Sequence, residues 1–449
     1  MTSIFARTAL TAEGWQADVR LTLAGGRIVT LTAGATPMPG DEQHAVLVPA
    51  MPNLHSHAFQ RGMAGLAERR GPGTDSFWSW RTVMYQFALA MTPDQVEAVA
   101  AQLYMEMLEA GFGRVGEFHY LHHDRDGQAY GNIAEMAERI AAAAAGTGIG
   151  LTLLPVFYAH SGFGGGAPAE GQRRFINTLD QYEHLLAGCR RAVAALPAAR
   201  LGVAPHSLRA VTPAELAAVT AMVEGGPIHI HVAEQVREVE DCIAWSGARP
   251  VEWLLDHTGL DDRWCLIHAT HMTPAETAGF AKSGAVAGLC PITEANLGDG
   301  TFPADTFLAE GGRFGIGSDQ NVLIGVGDEL RQLEYSQRLA LRSRNVIAPP
   351  GHSTGRTLFD AALAGGSQAL QAPTGLAAGA AADFVSLSTA EAPWHQGDTL
   401  LDAWIFAGSV RPDCVWVHGI KQVEAGRHRQ CEAIGRRFRA AMTELVAGQ

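Results

Sequence analysis

Lysine and net positive charge are both scarce in this chain. Of its 33 basic residues only two, Lys282 and Lys421, are lysines, and the formal net charge at pH 7 is −13. Nucleic-acid binding requires a basic face. The charge balance therefore argues against nucleic acid and anionic membrane surfaces as partners. An anionic small molecule can still bind where arginines are concentrated locally.

Paired cysteines and long apolar segments are lacking as well. The six cysteines are scattered without a C-x-x-C pair, which predicts free thiols in a reducing compartment. The first residues, "MTSIFARTAL", contain no apolar region of a secretory signal. The longest uncharged stretch, residues 140 to 160, is broken by several glycines and a proline, so it predicts a helix end and a strand. We expect a soluble cytoplasmic protein without a membrane partner.

What the sequence does contain is a regular alternation of strand and helix patterns. Apolar strand candidates end at "PNLHSH", "GRVGEFHY", "LTLLPVFY", "LGVAPH", "PIHIHVAE", "WCLIHAT", "VAGLCP" and "RFGIGSD". Between them, Thr-Pro pairs at Thr92, Thr212 and Thr273 are typical helix starts, with Thr as N-cap and Pro in the first turn. Eight strand–helix units predict an α/β fold, a TIM-like (β/α)₈ barrel with insertions over residues 49–372.

Short strands precede and follow this region. Residues 1–48 contain "DVRLTLAGGRIVTLTAG", with a glycine pair as hairpin turn, and residues 373–449 contain "DFVSLS" and "CVWVHGIKQVEAG". We predict that the two chain ends pair into one small β-sandwich domain beside the barrel.

Polar side chains gather at the predicted strand ends, which is where barrel enzymes carry their active sites. They are His55 and His57 on strand one, His119 and Tyr120 on strand two, His206 on strand four, His231 and Glu234 on strand five, His268 on strand six, and Asp319 on strand eight. Burying such groups unpaired costs several kcal/mol each. Because imidazole is a common metal ligand, the pattern favours a metal site over core filling.

This arrangement resembles the amidohydrolase superfamily of metal-dependent hydrolases over essentially the whole chain. The two-metal branch uses a carboxylated lysine or a glutamate on strand four, and "RLGVAPHSLRAV" contains neither. The resemblance therefore implies one Zn²⁺ per chain, with Fe²⁺ or another divalent ion as the alternative. The implied ligands are His55, His57, His231 and Asp319. His229 shares a strand face with His231 and is its rival, although the H-x-x-E register favours His231.

Five segments resemble the N-formimino-L-glutamate deiminases of bacterial histidine degradation: "HSHAFQRGMAGL", "FWSWR", "EFHYLHHD", "APHSLRAV" and "HIHVAEQ". Those enzymes hydrolyse a formimino group to a formyl group and release ammonia, and their substrate carries two carboxylates. The resemblance implies that Arg81 and Arg209 bind these carboxylates, since arginine suits bidentate recognition. It also implies hydrogen bonds from Gln60, Tyr120 and His206, and a homodimer.

The same resemblance implies the catalytic roles. Asp319 and His268 orient the attacking water and accept its proton, and Glu234 carries protons to the leaving nitrogen. One departure is Gln320, where we expect a small polar residue such as Ser. Three alternatives stay open: a deaminase of a nucleobase or other aromatic amine, an imidazolonepropionase-like ring hydrolase, and a non-catalytic homologue that serves as a scaffold. Among the remaining histidines, His271 is the best further candidate.

Overall fold

A computed structural model describes residues 2–71 and 77–447 of the chain. Its strands fall into three groups along the sequence. The first group is β1 (Thr2–Thr11), β2 (Gly14–Ala24), β3 (Arg27–Thr32) and β4 (Glu42–Pro49). The central group is β5 (Met51–Ser56), β6 (Phe112–His119), β7 (Gly150–Phe157), β8 (Arg200–Leu201), β9 (Ala204–Pro205), β10 (Ile228–Val232), β11 (Trp264–His268), β12 (Val286–Leu289) and β13 (Arg313–Ile316). The last group is β14 (Phe384–Ser388), β15 (Arg411–Val417), β16 (Ile420–Glu424) and β17 (Arg427–His428).

Helices separate the central strands. They are α1 (Phe77–Ala90), α2 (Pro93–Glu109), α3 (Glu135–Thr147), α4 (Leu179–Ala194), α5 (Pro213–Ala221), α6 (Val236–Ser246), α7 (Pro250–His257), α8 (Pro274–Ser283), α9 (Pro291–Leu297), α10 (Ala304–Ala309), α11 (Val326–Leu341), α12 (Thr354–Ala369), α13 (Asp398–Asp402) and α14 (Cys431–Ala447). Within residues 2–71 and 77–447, no helix combines the length and hydrophobicity that a membrane crossing requires. All six cysteines are free thiols, as predicted.

The predicted helix starts are confirmed. The hydroxyls of Thr92, Thr212 and Thr273 each accept a hydrogen bond from the backbone N–H three residues on. In each case the side chain of that third residue binds back to the cap, and a proline occupies the first turn. This reciprocal pairing satisfies N–H groups that have no partner inside the helix.

The central strands form parallel sheets, so the predicted α/β class is confirmed. One sheet has the order β5-β6-β7-β8, with β9 also paired to β7, and the other has the order β10-β11-β12-β13. The fourth predicted strand is split into β8 and β9. Gly202 lies between them, and a Cβ there would come within 2.4 Å of the Pro227 carbonyl oxygen. Only glycine allows this close approach of the backbones.

Single parallel bridges connect the edges of the two sheets. Val203 pairs with Ile228 on one side, and Ser56 pairs with Asp319 on the other. The second connection is reinforced because the Asp319 N–H donates to the His55 carbonyl at 3.0 Å and the His57 N–H donates to the Asp319 carbonyl at 3.0 Å. The carboxyl ends of β5, β10 and β13 are thereby brought together.

The chain ends pair as predicted, but not as two stacked sheets. β1–β4 and β14–β17 form one eight-stranded sheet in the order β17-β16-β15-β14-β4-β1-β2-β3. The expected sandwich is corrected to a single sheet because β4 pairs with β1 on one edge and with β14 on the other. An antiparallel bridge from Arg27 to Ala381 shows that the sheet folds back on itself. It encloses its own apolar cluster, which includes Leu21 and Trp416.

Candidate metal centre and active site

Four side chains with metal-binding atoms converge at the carboxyl ends of the parallel strands. His55 lies in β5 and His57 directly after it, His231 lies in β10, and Asp319 follows β13. Their ligand atoms all lie within 4.8 Å of one another, and all four residues are buried. Nε2 of His57 is 3.2 Å and Nε2 of His55 is 3.4 Å from Oδ1 of Asp319, and Nε2 of His231 is 3.1 Å from Nε2 of His55.

The hydrogen bonds of these imidazoles point their lone pairs into the cluster. Nδ1 of His57 lies 2.9 Å from the Phe118 carbonyl, and Nδ1 of His231 lies 3.1 Å from the His206 carbonyl. A carbonyl only accepts, so each Nδ1 carries the proton and each Nε2 presents a lone pair. Burial lowers the pKa of His231 well below its ordinary value, which keeps the ring neutral.

The aspartate supplies negative charge to the same point. Burial alone would raise the pKa of Asp319, but the close contacts with His55 and His57 hold it well below the ordinary range. Burial also lowers the pKa of His55 to about 3, with the neighbouring His57 acting in the same direction. Two imidazole lone pairs and a carboxylate thus meet in a buried space, and these donors fit a divalent cation.

His229, the rival ligand, lies outside this cluster. Its Nε2 is 2.8 Å from the Ala369 carbonyl at the end of α12. Burial lowers its pKa to about 4. His229 is therefore a neutral side chain that lies two residues before His231 in β10 and apart from the cluster. His231 lies close to His55, His57 and Asp319.

A proton-transfer group lies beside the cluster. Nε2 of His268 is 3.7 Å from Oδ2 of Asp319 and 3.8 Å from Oε1 of Glu234, and its Nδ1 is 3.3 Å from Oε1 of Glu294. Burial opposes the charged ring, but Glu234, Glu294 and Asp319 together raise the pKa of His268 to about 10. Burial raises the pKa of Glu234, against the opposing charges of His268 and Arg209. Protons can therefore be shared along the line Asp319–His268–Glu234.

The backbone at two of these residues is in the left-handed region. His268 has φ 68° and Asp319 has φ 47°. Such conformations cost about 1–3 kcal/mol each for residues other than glycine and are concentrated at functional sites. The bridge to β5 holds Asp319 in place, and both of its carboxylate oxygens face histidines in this position.

All but one of the predicted site residues line a single pocket of about 570 Å³, counting the part that is open to solvent. They are His57, Gln60, Arg81, Tyr120, His206, Arg209, His231, Glu234, His268 and Asp319. His55 is fully buried beneath this surface. Gln320 also lines the pocket, and its amide nitrogen donates to Asn296 at 2.7 Å. His271 does not line it and is half-buried nearby.

Two arginines, Arg81 and Arg209, also line the pocket. Nη2 of Arg209 is 3.8 Å from Oε2 of Glu234 and 3.7 Å from Oε2 of Glu238, which is too far for direct hydrogen bonds. Burial alone would lower the pKa of Arg209, but Glu238 and Glu234 raise it, so it stays charged. Nε of Arg81 donates to the Tyr85 hydroxyl at 2.5 Å, and no carboxylate of the described residues is paired with Arg81.

The neutral hydrogen-bonding residues lie between the arginines and the metal cluster. Nε2 of Gln60 donates to the Tyr120 hydroxyl at 2.8 Å. Burial and the nearby Arg209 lower the pKa of His206 well below its ordinary value. A neutral His206 and the Gln60–Tyr120 pair can therefore bind polar groups of a substrate without adding charge.

Sequence reasoning missed two supporting carboxylates. Glu238 accepts hydrogen bonds from the backbone N–H groups of Ala233 and Glu234, both at 3.2 Å, and so holds the loop that carries Glu234. Glu294 fixes the ring of His268. Only weak signals in the sequence point to these two residues: Glu238 comes four positions after Glu234, and Glu294 comes shortly after the seventh predicted strand.

Comparison with known proteins decides the family. The amidohydrolase family matches residues 46–421, and the N-terminal domain of formimidoylglutamate deiminase HutF matches residues 1–45. The chain belongs to the amidohydrolase family. A divalent metal site built from histidine and aspartate side chains agrees with both the family and the geometry.

Individual relatives cover the whole chain. The formimidoylglutamate deiminase of Pseudomonas aeruginosa is 52% identical, over 99% of this chain and 100% of that protein. The crystal structure of an amidohydrolase from Brucella melitensis is 63% identical with a TM-score of 0.98, over 99% of this chain and 100% of that one. An adenosine deaminase structure from Xanthomonas campestris with bound zinc shares the fold at 20% identity, with a TM-score of 0.82 over 99% and 98% of the two chains. The predicted resemblance to formimino-glutamate deiminases is confirmed.

Proposed function

We propose that this protein hydrolyses N-formimino-L-glutamate to N-formyl-L-glutamate and ammonia, a step of histidine degradation. The observation that carries the proposal is the pocket itself, which is lined both by residues of a histidine–aspartate metal cluster and by two arginines. A dianionic substrate needs fixed cations in an otherwise acidic protein. The relative from Pseudomonas aeruginosa, similar over its full length, supports the same reaction.

We assign the metal to one Zn²⁺ per chain, held by His55, His57, His231 and Asp319. Zinc commonly takes three or four nitrogen and oxygen ligands, and these four donors lie close enough to share one ion. An ion bound there would lower the pKa of a water molecule toward neutrality and so supply the nucleophile.

The proton steps belong to three side chains. Asp319 accepts the proton of the attacking water, and the charged His268 passes its own proton on and regains one from Asp319, since Oδ2 of Asp319 is 3.7 Å from Nε2 of His268. Glu234, 3.8 Å from the same nitrogen and ionised before the reaction, takes up the proton from His268 and delivers it to the terminal formimino nitrogen. A second proton, released by the hydroxyl group that has added to the formimino carbon, reaches the same nitrogen, which then leaves as ammonia, and the bond to the glutamate nitrogen is retained. General acid–base catalysis of this kind increases a reaction rate by a factor of about 10²–10⁴.

The remaining pocket residues orient the substrate. Arg81 and Arg209 bind its two carboxylates, and the long distances from Arg209 to Glu234 and Glu238 leave its hydrogen-bonding capacity available. Gln60, Tyr120 and His206 donate or accept hydrogen bonds near the formimino group. An aromatic, neutral substrate would make no use of the positive charge of either arginine.

Three broader features complete the proposal. The bridges at both edges of the two parallel sheets support a closed (β/α)₈ barrel, and the pairing of the two chain ends supports a second domain beside it. The free cysteines support a cytoplasmic location. The exposed side chains of Leu323 and Leu339 support a homodimer through apolar contact. Light scattering of the purified chain measures the last of these directly.

The deciding experiment is an ammonia-release assay of the metal-loaded protein on a small panel. N-formimino-L-glutamate should be the best substrate, N-formimino-L-aspartate should be poorer, and formimino-glycine, which lacks one carboxylate, should be poorer still. Adenosine and guanine represent the aromatic alternative. Faster ammonia release from either nucleobase compound than from N-formimino-L-glutamate would refute the proposal.

A further inference from the structure

A second hollow adjoins the mouth of the active-site pocket. It encloses about 900 Å³, counting the part open to solvent, and Arg81, Tyr158 and Arg209 line both cavities. Helix α6 contributes Arg237 and Asp241 to its lining. The side chain of Arg237 is 66% exposed and that of Arg209 only 12%, so a ligand from solvent meets Arg237 more readily than this inner arginine.

Three guanidinium groups surround one indole ring in this hollow. The Cζ atoms of Arg237, Arg81 and Arg209 lie 5.0, 5.6 and 6.0 Å from the centroid of the Trp78 ring. The electron-rich face of tryptophan attracts cations, which holds the three side chains near each other in spite of their like charge. An anion at this place would relieve their mutual repulsion.

The positive charge of Arg237 does little to stabilise its own helix. Arg237 lies in the first turn of α6, where the helix dipole disfavours a cation. Its partner Asp241 is one turn away, at 3.6 Å, and the two side chains are 66% and 54% exposed. Ion pairs this exposed contribute little to stability. Among residues 2–71 and 77–447, the lining thus carries three arginines against one aspartate, in a protein whose net charge is −13.

We propose that Arg237, together with Trp78, forms an outer carboxylate site that receives the dianionic substrate before Arg81 and Arg209 bind it. This inference rests on the proposed function. A carboxylate held by Arg237 can move to either inner arginine around the same indole ring without returning to bulk water. Local positive charge of this kind raises the rate of association and is screened by salt.

The test compares variants on N-formimino-L-glutamate at low and high ionic strength. Arg237→Gln should lower kcat/KM about threefold to tenfold at low salt, the share expected of one charge in steering. The loss should shrink at about 0.5 M salt, where screening acts over a few ångströms. Arg344→Gln, at an exposed position between α11 and α12, is the matched control for net charge. Arg237→Lys should retain most of kcat/KM, and Asp241→Asn should raise it.

The outcomes separate this inference from the proposed function. Equal kcat/KM in Arg237→Gln and Arg344→Gln would overturn the outer site, as would a loss that is independent of salt and equally large in Arg237→Lys. If the wild-type protein releases no ammonia from N-formimino-L-glutamate, the proposed function fails instead. The affinity for glutarate, a plain dianion, then tests the site alone: equal, salt-independent affinities of Arg237→Gln and Arg344→Gln would overturn it.

Discussion

Replacing Arg209 by Met should produce two separable defects, because this side chain has two sets of neighbours. Its side chain is only 12% exposed, and it lies 3.7–3.8 Å from Glu238 and Glu234. The change removes a cation that binds substrate. It also removes the positive charge that opposes the upward shift of the Glu234 pKa.

The first defect is a loss of substrate binding. Truncating one partner of a buried charge pair costs about 2–5 kcal/mol, which corresponds to a drop of roughly 30-fold to several thousand-fold in kcat/KM at about 1.36 kcal/mol per factor of ten. The second defect concerns pH. Without Arg209 the ionised form of Glu234 is less favoured, so its pKa rises further, and the acidic limb of the kcat/KM profile should move to higher pH.

Arg81→Met is the comparison that isolates these effects. No carboxylate of the described residues is paired with Arg81, so its loss should lower kcat/KM on N-formimino-L-glutamate without moving the acidic limb. Kinetics between pH 5 and 9 on both variants, with zinc content as a control, measure the difference. Near-normal kcat/KM in both variants would refute the dianion argument. An unmoved acidic limb in Arg209→Met would refute the assigned coupling to Glu234.

Three further predictions concern the metal, the proton shuttle and a buried histidine. Chelation should abolish activity, and one equivalent of Zn²⁺ per chain should restore it; a requirement for two ions would contradict the single site. Glu234→Gln should retain the metal but lose at least about two orders of magnitude in kcat; metal loss measured by elemental analysis would show that Glu234 is a ligand. The pKa of His229 is lowered to about 4, so the side chain stays neutral in the folded protein and binds a proton only on unfolding. The free energy of unfolding should therefore fall by up to about 3 kcal/mol as the pH drops from 6.5 to about 4. In denaturant titrations, His229→Asn should make the free energy of unfolding depend less on pH, while the zinc content stays unchanged. A pH dependence equal to that of the wild type would contradict this role of His229.

The sequence by itself determined the chemistry of the site and the ends of the strands that carry it. Spacing acts locally: alternate residues of a strand face one side, and Thr-Pro starts satisfy the first N–H groups of a helix. The strand ends that carry His55, His57, His231 and Asp319 could therefore be predicted from local patterns, whereas their choice as a ligand set came from the family resemblance.

The choice between His229 and His231 required the tertiary structure. Both lie on the same face of β10, but two residues of a strand advance about 6.6 Å along its axis, which is far more than a coordination bond. His231 reaches the cluster, whereas His229 lies at the level of the Ala369 carbonyl. His55 and His57 are also two residues apart, yet both belong to the cluster. The reason is that the chain leaves the strand after Ser56 and begins a short 3₁₀ helix at Ala58.

The tertiary structure alone also decided which distant elements support each other. Glu294 binds His268, which lies 26 residues earlier in the chain and is brought near because β11 and β12 pair side by side. The chain ends form one folded-over sheet since β4 has partners on both edges, a pairing that no local pattern encodes. Helix α14, absent from the sequence analysis, packs on α2, where Gln95 donates to Glu444 at 3.0 Å. Residue periodicity specifies which face of an element is buried, but the partner that covers that face is selected only when the whole chain folds.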